Sequence, residues 1–389
     1  MASVMLECET ESQCLEAVRQ AAELLRQGGV VVFPTETVYG VGASAASATG
    51  VERLREVKGR AETQPFTLHL PDVASIARFV DLEQNRALMR LARRTMPGPI
   101  SFIVDVDDAT IARKLDELGL GPDARDRIYH GNTIGLRVPD DAVARALLAE
   151  VGEPVVASSA NRKGEAPPKS AEAAAGSIGE EVDLILDGGP CRYGRASTII
   201  RIDGERAEVV REGVYDTRYI EKLMQRTFVF VCSGNTCRSP MAEAIARDEL
   251  GRRLGVGADE LEQANVKVIS AGASAMPGSP MTSEAAQALA RLDVRPHRHA
   301  SQTLTPALID HAEAIFCMTP SHLMAVQEIA PAAASRAVLL DPEGESVEDP
   351  IGAGPQIYLK CAQQIQKFVR RRLDELGFDS AVSPLEKHP

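Results

Sequence analysis

The sequence predicts two consecutive α/β domains. Three observations carry this. Apolar strand-like runs alternate with amphipathic helix-length runs along the chain. The 389 residues suit two domains at ~150 residues each. A charged, weakly amphipathic stretch, REGVYDTRYIEKLMQRT, lies between one strand-rich stretch and a fresh apolar strand, which places the boundary at 220–226.

In the first half, CLEAVRQAAELLRQGG (14–29) reads as an amphipathic helix stopped by Gly28-Gly29. VVVFPTETVYGVG (30–42) reads as a buried strand running into a turn. A helix is predicted over 48–60, a strand over 66–70, and helices over 73–80 and 85–96. Strands follow at 99–106, 133–139 and 154–161, with a helix over 142–151 between the last two. Strands at 183–189, 196–204 and 207–213 complete the set, the last two forming a hairpin around Asp203-Gly204, so the twisted sheet is mixed. The second half is stricter. Strands at 228–234, 266–270, 314–318 and 337–340 alternate with helices at 240–254, 283–292, 321–330 and 356–376. Four βα units predict a four-stranded parallel sheet with helices on both faces and ligands at the strands' carboxyl ends. The polar tail after Phe378 is expected to fray.

Composition narrows the function classes. Hydrophobic residues are 44% and charged residues 25%, which excludes wholesale disorder. No run approaches the ~20 apolar residues of a membrane helix, so no membrane partner is expected. The N-terminus carries acids before any apolar run and does not read as a secretory signal. The net charge of −12 makes a poor non-specific nucleic-acid binder, so no stable direct nucleic-acid binding is expected. Trp is absent and aromatics are 4%, so the cores must be aliphatic. Seven scattered cysteines form no disulfide framework and fit a reducing cytoplasm. No zinc-type pairing of Cys and His appears, and no metal site is expected.

The sharpest motif closes the first strand of the second half: Cys232, Ser233, Gly234, Asn235, Thr236, Cys237, Arg238, Ser239. Successive backbone N–H groups at a helix N-terminus cradle an anion, and a thiol at the base of such a loop is stabilised as thiolate. Arg238 suits bidentate contact with a phosphoryl group, Ser239 can donate to the sulfur, and Gly234 and Asn235 suit a tight, partly left-handed backbone. Asp349, in the Gly-rich VEDPIGAG, can swing a carboxyl over the cradle as general acid and then base. The competing structural reading is a buried Cys at a strand end and an ordinary Asp-Pro turn. VFVCSGNTCRSPMAEA with EDPIG resembles the low-molecular-weight protein-tyrosine phosphatase family over 227–376. The resemblance implies Cys232 as nucleophile, Arg238 as phosphate clamp, Asp349 as general acid and a phosphoprotein substrate. Phosphotyrosine-specific members have a bulky apolar residue at the place of Thr236 and aromatics after the Asp-Pro. Thr236 and Ile-Gly-Ala-Gly resemble the protein-arginine phosphatase branch instead, which favours phosphoarginine over phosphotyrosine. Cys237 reads equally as a protective disulfide partner or as loop packing. Arsenate reductases share the fold but need further shuttling cysteines. Cys317 lies near that place without a suitably spaced second Cys, and reads as core.

In the first half, individual motifs are weak. Lys58-Gly-Arg60 reads alone as a helix-end charge pair, His69 as a satisfied core histidine, and Ser158-Ser-Ala-Asn161 as a turn or N-cap. Taken in order, PTETVYG, KGR, RVP, SSAN and STII resemble the YrdC-like threonylcarbamoyl-AMP synthase family over 12–214. The resemblance implies formation of L-threonylcarbamoyladenylate from L-threonine, bicarbonate and ATP, for t6A modification at tRNA position 37. A tRNA threonylcarbamoyl-transferase machinery is then a possible partner. Matching positions imply that Thr37, His69, Arg137, Ala157 and Ser197 hold threonine, with Arg137 on its carboxylate. Arg60, Gln64, Thr133, Ser159, Pro167 and Arg211 match ATP contacts. Lys58 and Arg60 suit the triphosphate, with Mg2+ shared by its oxygens, and Asn161 would support the pocket. Ala61, Gln64 and Lys163 depart from the usual Pro, Asn and Ser without removing a needed charge. The alternative class is an RNA-binding module, separable by threonine- and bicarbonate-dependent pyrophosphate release.

Overall fold

The computed structural model describes residues 4–8, 10–59, 65–82, 85–204 and 206–378. The chain divides into two compact units between Met224 and Gln225. The polar tail after Phe378 lies outside the described residues.

The first unit is built on ten strands: β1 Val4–Glu7, β2 Val31–Phe33, β3 Gly40–Ser44, β4 Thr67–His69, β5 Ile100–Asp105, β6 Thr133–Arg137, β7 Val155–Ser159, β8 Leu184–Asp187, β9 Thr198–Asp203 and β10 Arg206–Arg211. Their order is β1-β8-β2-β3-β7-β4-β6-β5-β9-β10. The sheet is mixed: β2 pairs β8 parallel and β3 antiparallel, while β5 pairs β6 antiparallel and β9 parallel. The expected hairpin is present, with Asp203 opposite Arg206. Alternation along 30–33 serves two cores. Val30 and Val32 enter the larger one; Val31 and Phe33 pack with the helices Glu11–Arg26 and Ala142–Val151.

Local chemistry explains where the elements depart from expectation. The first helix starts at Glu11 rather than at Cys14, because Thr10 and Gln13 form a reciprocal capping box. The run 30–42 makes two antiparallel strands, not one strand and a turn. Pro34 brings no donor, and Thr35 Oγ1 receives the N–H groups of Thr37 and Val38, closing the turn. Gly42 permits the close β2–β3–β7 packing, since a Cβ there would lie 3.0 Å from Val156 O and 3.1 Å from the Phe33 ring. Residues 73–80 form only a 3-10 turn over Ala74–Arg78. Strand β1 and the helices Asp108–Glu117 and Ala171–Ile178 were not expected. Asp107 and Ser170 cap the two helices, and β1 owes its existence to pairing with β8.

The second unit has four strands, β11 Arg226–Cys232, β12 Val266–Gly272, β13 Ala314–Cys317 and β14 Ala337–Leu339, all parallel in the order β12-β11-β13-β14. Helices Arg238–Leu254, Ser283–Ala290 and Pro355–Glu375 cover the face of Phe228 and Phe230. Helices Pro306–His311 and Pro320–Ile329 cover the face of Val229 and Val231. Burial on both faces is why these strands read as unbroken apolar runs. No helix among the described residues is long and apolar enough to cross a membrane.

Two candidate active sites

In the first unit a cavity of about 460 Å3 is lined by residues of β4, β6, β7 and β9 and of the turns beside them. Thr37, His69, Arg137, Ala157 and Ser197 line it, as do Thr133, Ser159, Pro167 and Arg211. Arg60, Ala61 and Gln64 lie outside the described residues. Lys58 does not line the cavity. Its buried ammonium donates to Ser159 O at 2.6 Å and to Asn161 O, bracing the turn after β7. Asn161 holds that turn from within through Arg162 O and Glu165 O, each at 2.8 Å.

The cavity is cationic. Arg137, Arg201 and Arg211 line it, and among the described residues no carboxylate does. Arg137 Nη2 donates to Thr37 Oγ1 at 2.6 Å and to the buried Glu36 Oε1 at 3.0 Å. Arg137 Nε and Glu36 Oε2 are buried without a hydrogen-bond partner, so the pair has spare capacity on both sides. Arg211 Nη2 donates to Ser197 O at 2.8 Å; burial, with Arg137 nearby, lowers its proton affinity. His69 Nδ1 lies 3.0 Å from Thr67 O, which assigns the ring proton to Nδ1 and leaves Nε2 as acceptor. Burial, then the charge of Arg137, pushes His69 down to about 3, so it is neutral at physiological pH.

In the second unit, Cys232 ends β11 and Arg238 opens the following helix. Cys232 Sγ lies 3.0 Å from Ser239 Oγ and accepts from Asn235 N at 3.3 Å. Asn235 takes the left-handed conformation (φ 55°), held by Nδ2–H bonds to Ser239 Oγ and Ser270 Oγ and by Gln302 N on its Oδ1. The loop passes so close to the end of β12 that a Cβ on Gly272 would lie 2.5 Å from Ser233 O. Arg238 is buried; Nη1 donates to Val347 O at 3.1 Å and Nη2 pairs with Asp349 Oδ2. Arg238 Nε is buried without a partner. Asp349 is 40% exposed beside this clamp and is the more accessible member of the pair. Ser233 and Gly234 sit exposed at the mouth, with Thr236 half-buried. Cys237 Sγ packs against Tyr358 OH at 3.5 Å and Thr282 Oγ1 at 3.6 Å, and is a free thiol like the other six cysteines. Cys317 is fully buried and pushed up to about 12 by that burial, as a core thiol should be.

Sequence reasoning missed a supporting layer behind this loop. Ser270 Oγ donates to Glu243 Oε2 at 2.6 Å, Glu243 Oε1 meets His297 Nε2 at 3.0 Å, and His299 Nε2 donates to Asn235 O at 2.7 Å. His322 Nε2 lies 2.9 Å from Ser233 Oγ; burial and Arg238 push it down to about 4. The His-x-His of 297–299 was a readable signal; Ser270, Glu243 and His322 carried none.

The family model Sua5–YciO–YrdC, described as telomere recombination, matches residues 23–213. The "Putative threonylcarbamoyl-AMP synthase" of Mycobacterium tuberculosis is 33% identical over 218 residues, covering 56% of this chain and 94% of that one. The chain belongs to the Sua5–YciO–YrdC family. The low molecular weight phosphotyrosine protein phosphatase model matches residues 227–381, so this family member carries a phosphatase-type domain as well. The threonylcarbamoyl-AMP synthase of Bacillus subtilis is 34% identical over 209 residues, covering 53% of this chain and 56% of that one. The chain thus spans about half the length of the first curated relatives it matches. A structure of Pyrococcus abyssi Sua5 complexed with L-threonine shares the fold, at 23% identity and a TM-score of 0.50, covering 70% of this chain and 92% of that one. The YwlE arginine phosphatase of Geobacillus stearothermophilus is 27% identical with a TM-score of 0.34, covering 42% and 98%.

Proposed function

We propose that the chain is bifunctional and cytoplasmic. The first unit forms L-threonylcarbamoyladenylate, and the second dephosphorylates protein phosphoarginine in preference to phosphotyrosine. The first reading is carried by one observation: nine residues scattered from Thr37 to Arg211 converge on one cavity that Arg137, Arg201 and Arg211 make cationic. The family relatives named threonylcarbamoyl-AMP synthase, and the neighbour that holds L-threonine, support the substrate class. Arg137 takes the threonine carboxylate in place of Glu36. The amine adds bicarbonate to give a carbamate with loss of water. A carbamate oxygen then attacks the α-phosphorus, a P–O bond forms, and the bond to the β-phosphate breaks to release pyrophosphate. Arg211 and the hydroxyls of Thr133 and Ser159 offset the phosphate charge, with Arg60 and Gln64 as further ATP contacts. Mg2+ bound with ATP would be shared by its phosphate oxygens and would help neutralise the triphosphate. The adenylate is the activated donor for tRNA position 37, passed to a threonylcarbamoyl-transferase machinery.

In the second unit the Cys232 sulfur attacks phosphorus. The S–P bond forms as the bond to the leaving group breaks, and Asp349 gives that group its proton. Water, giving its proton to Asp349, then attacks the phosphorus of the phosphocysteine; the S–P bond breaks, returning the Cys232 thiolate and releasing inorganic phosphate. Arg238 exchanges Asp349 for phosphoryl oxygens, which frees the carboxyl for proton transfer. The hydroxyl of Thr236 at the mouth and the lack of aromatics after Pro350 support a guanidinium rather than an aryl leaving group.

Two assays on one preparation test the pair. Pyrophosphate release should require both threonine and bicarbonate and fail in Arg137→Met; release without threonine dependence sinks the first reading. Hydrolysis of phosphoarginine peptides should exceed that of phosphotyrosine peptides and vanish in Cys232→Ser. Thr236→Ile should shift the preference toward the aryl ester, and an unchanged ratio refutes the selectivity argument.

A further inference from the structure

The layer behind the phosphate loop holds a second constellation that neither reaction uses. Glu243 projects from the helix Arg238–Leu254, while His297 and His299 come from the loop 291–305, on alternate residues of an extended segment. One ligand atom from each lies within 4.8 Å of the other two. Glu243 is buried, its Oε1 already meeting His297 Nε2 at 3.0 Å; the His297 side chain is 12% exposed and His299 is partly buried. His297 Nδ1 is buried with no hydrogen-bond partner, so this ring keeps an unsatisfied nitrogen.

We infer that Glu243, His297 and His299 form a binding site for a divalent transition-metal ion, one that reports to the phosphate loop. Two imidazoles and one carboxylate suit Zn2+, Co2+ or Ni2+ rather than Mg2+ or Ca2+, which prefer all-oxygen shells. The surroundings supply a supporting shell of the kind such sites use. His299 Nε2 holds Asn235 O at 2.7 Å, and Ser270 Oγ, bonded to Asn235 Nδ2 at 2.8 Å, donates to Glu243 Oε2 at 2.6 Å. Two of the three ligands are therefore one hydrogen bond, or one hydroxyl, from the residue whose left-handed backbone shapes the cradle. Metal occupancy draws on the same groups that fix Asn235. Arg247 Nη1, 3.9 Å from Glu243 Oε1, opposes the cation, but its Nη2 is engaged by Asp259 at 2.8 Å and points the guanidinium outward. Cys and His spacing alone predicts no metal site; Glu243 lies more than fifty residues from both histidines and joins them only in the fold.

The test uses the full chain carrying Cys232→Ser, which removes the phosphate-loop thiolate as a competing ligand. Titration with Co2+ alone should give one equivalent of low-symmetry d–d absorption without a sulfur-to-metal charge-transfer band. His297→Gln, which can keep a hydrogen bond to Glu243, and His299→Gln should each weaken Co2+ affinity at least tenfold while the near-ultraviolet circular dichroism stays that of the parent. No binding, binding unchanged in both variants, or a thiolate band overturns the site. The effect on the loop rests on the phosphatase reading and is measured separately with Cys232 intact. Zn2+ should change phosphopeptide hydrolysis in the wild type and change it at least tenfold less effectively in His297→Gln. Equal responses there overturn the coupling to the loop, while the Co2+ titration judges the site independently.

Discussion

Replacing Lys58 by Met separates bracing from triphosphate binding. The Lys58 ammonium lies 2.6 Å from Ser159 O and also holds Asn161 O, and the residue is buried. Methionine retains the methylene packing and removes the donor. Two carbonyls then lose a charged partner inside the protein, at about 1–3 kcal/mol for each buried acceptor left unsatisfied. Partial rehydration at the cavity side recovers some of this, and about 2–4 kcal/mol is the expected loss for the turn after β7. At ~1.4 kcal/mol per decade, hydrogen exchange in residues 155–161 should accelerate about 30- to 1000-fold. Exchange-mass spectrometry of the full chain reads this directly, with β11–β14 peptides as an internal standard. Because Ser159 lines the cavity, ATP-dependent turnover should fall together with protection. If exchange is unchanged while the KM for ATP rises, Lys58 serves the nucleotide and the bracing argument is wrong.

Gly272→Ala should cost phosphopeptide hydrolysis at least ~100-fold, since a Cβ 2.5 Å from Ser233 O displaces the cradle, and misplacements of this kind carry such penalties. Pyrophosphate release by the first unit should be untouched, and a fully active alanine variant would contradict the close passage. His69, held at about 3 against an ordinary 6.5, makes the unfolded chain the stronger proton binder between those values. Its contribution is therefore complete above pH 6.5 and is lost as the pH falls toward 3. Denaturant stability of the first unit from pH 7 to 4.5 should fall less steeply in His69→Gln, and equal slopes would place the acid sensitivity elsewhere. His322 works with the same sign in the second unit, from 6.5 down to about 4. His322→Gln should flatten the corresponding slope of hydrolytic stability in phosphopeptide assays after acid incubation.

Much of this protein was legible from its residues. The parallel sheet of the second unit was readable because burial on both faces leaves uninterrupted apolar strands, and the Cys232–Ser239 loop because its chemistry is local in sequence. The ordered motifs of the first half marked positions that the fold gathers around one cavity, although no single motif carried the signal. Tertiary structure alone decided the rest. Strand β1 exists because β8 offers it an edge, and its four residues hold no periodicity of their own. Lys58 faces two carbonyls more than a hundred residues away, so its helix-end setting could not foretell its partners. The Glu36–Arg137 pair and the Glu243–His297–His299 cluster likewise join segments remote in sequence. Local propensity and side-chain chemistry act over a few residues and are written in the sequence. Burial, desolvation and long-range hydrogen-bond partnership depend on which elements meet, and only the folded chain fixes that.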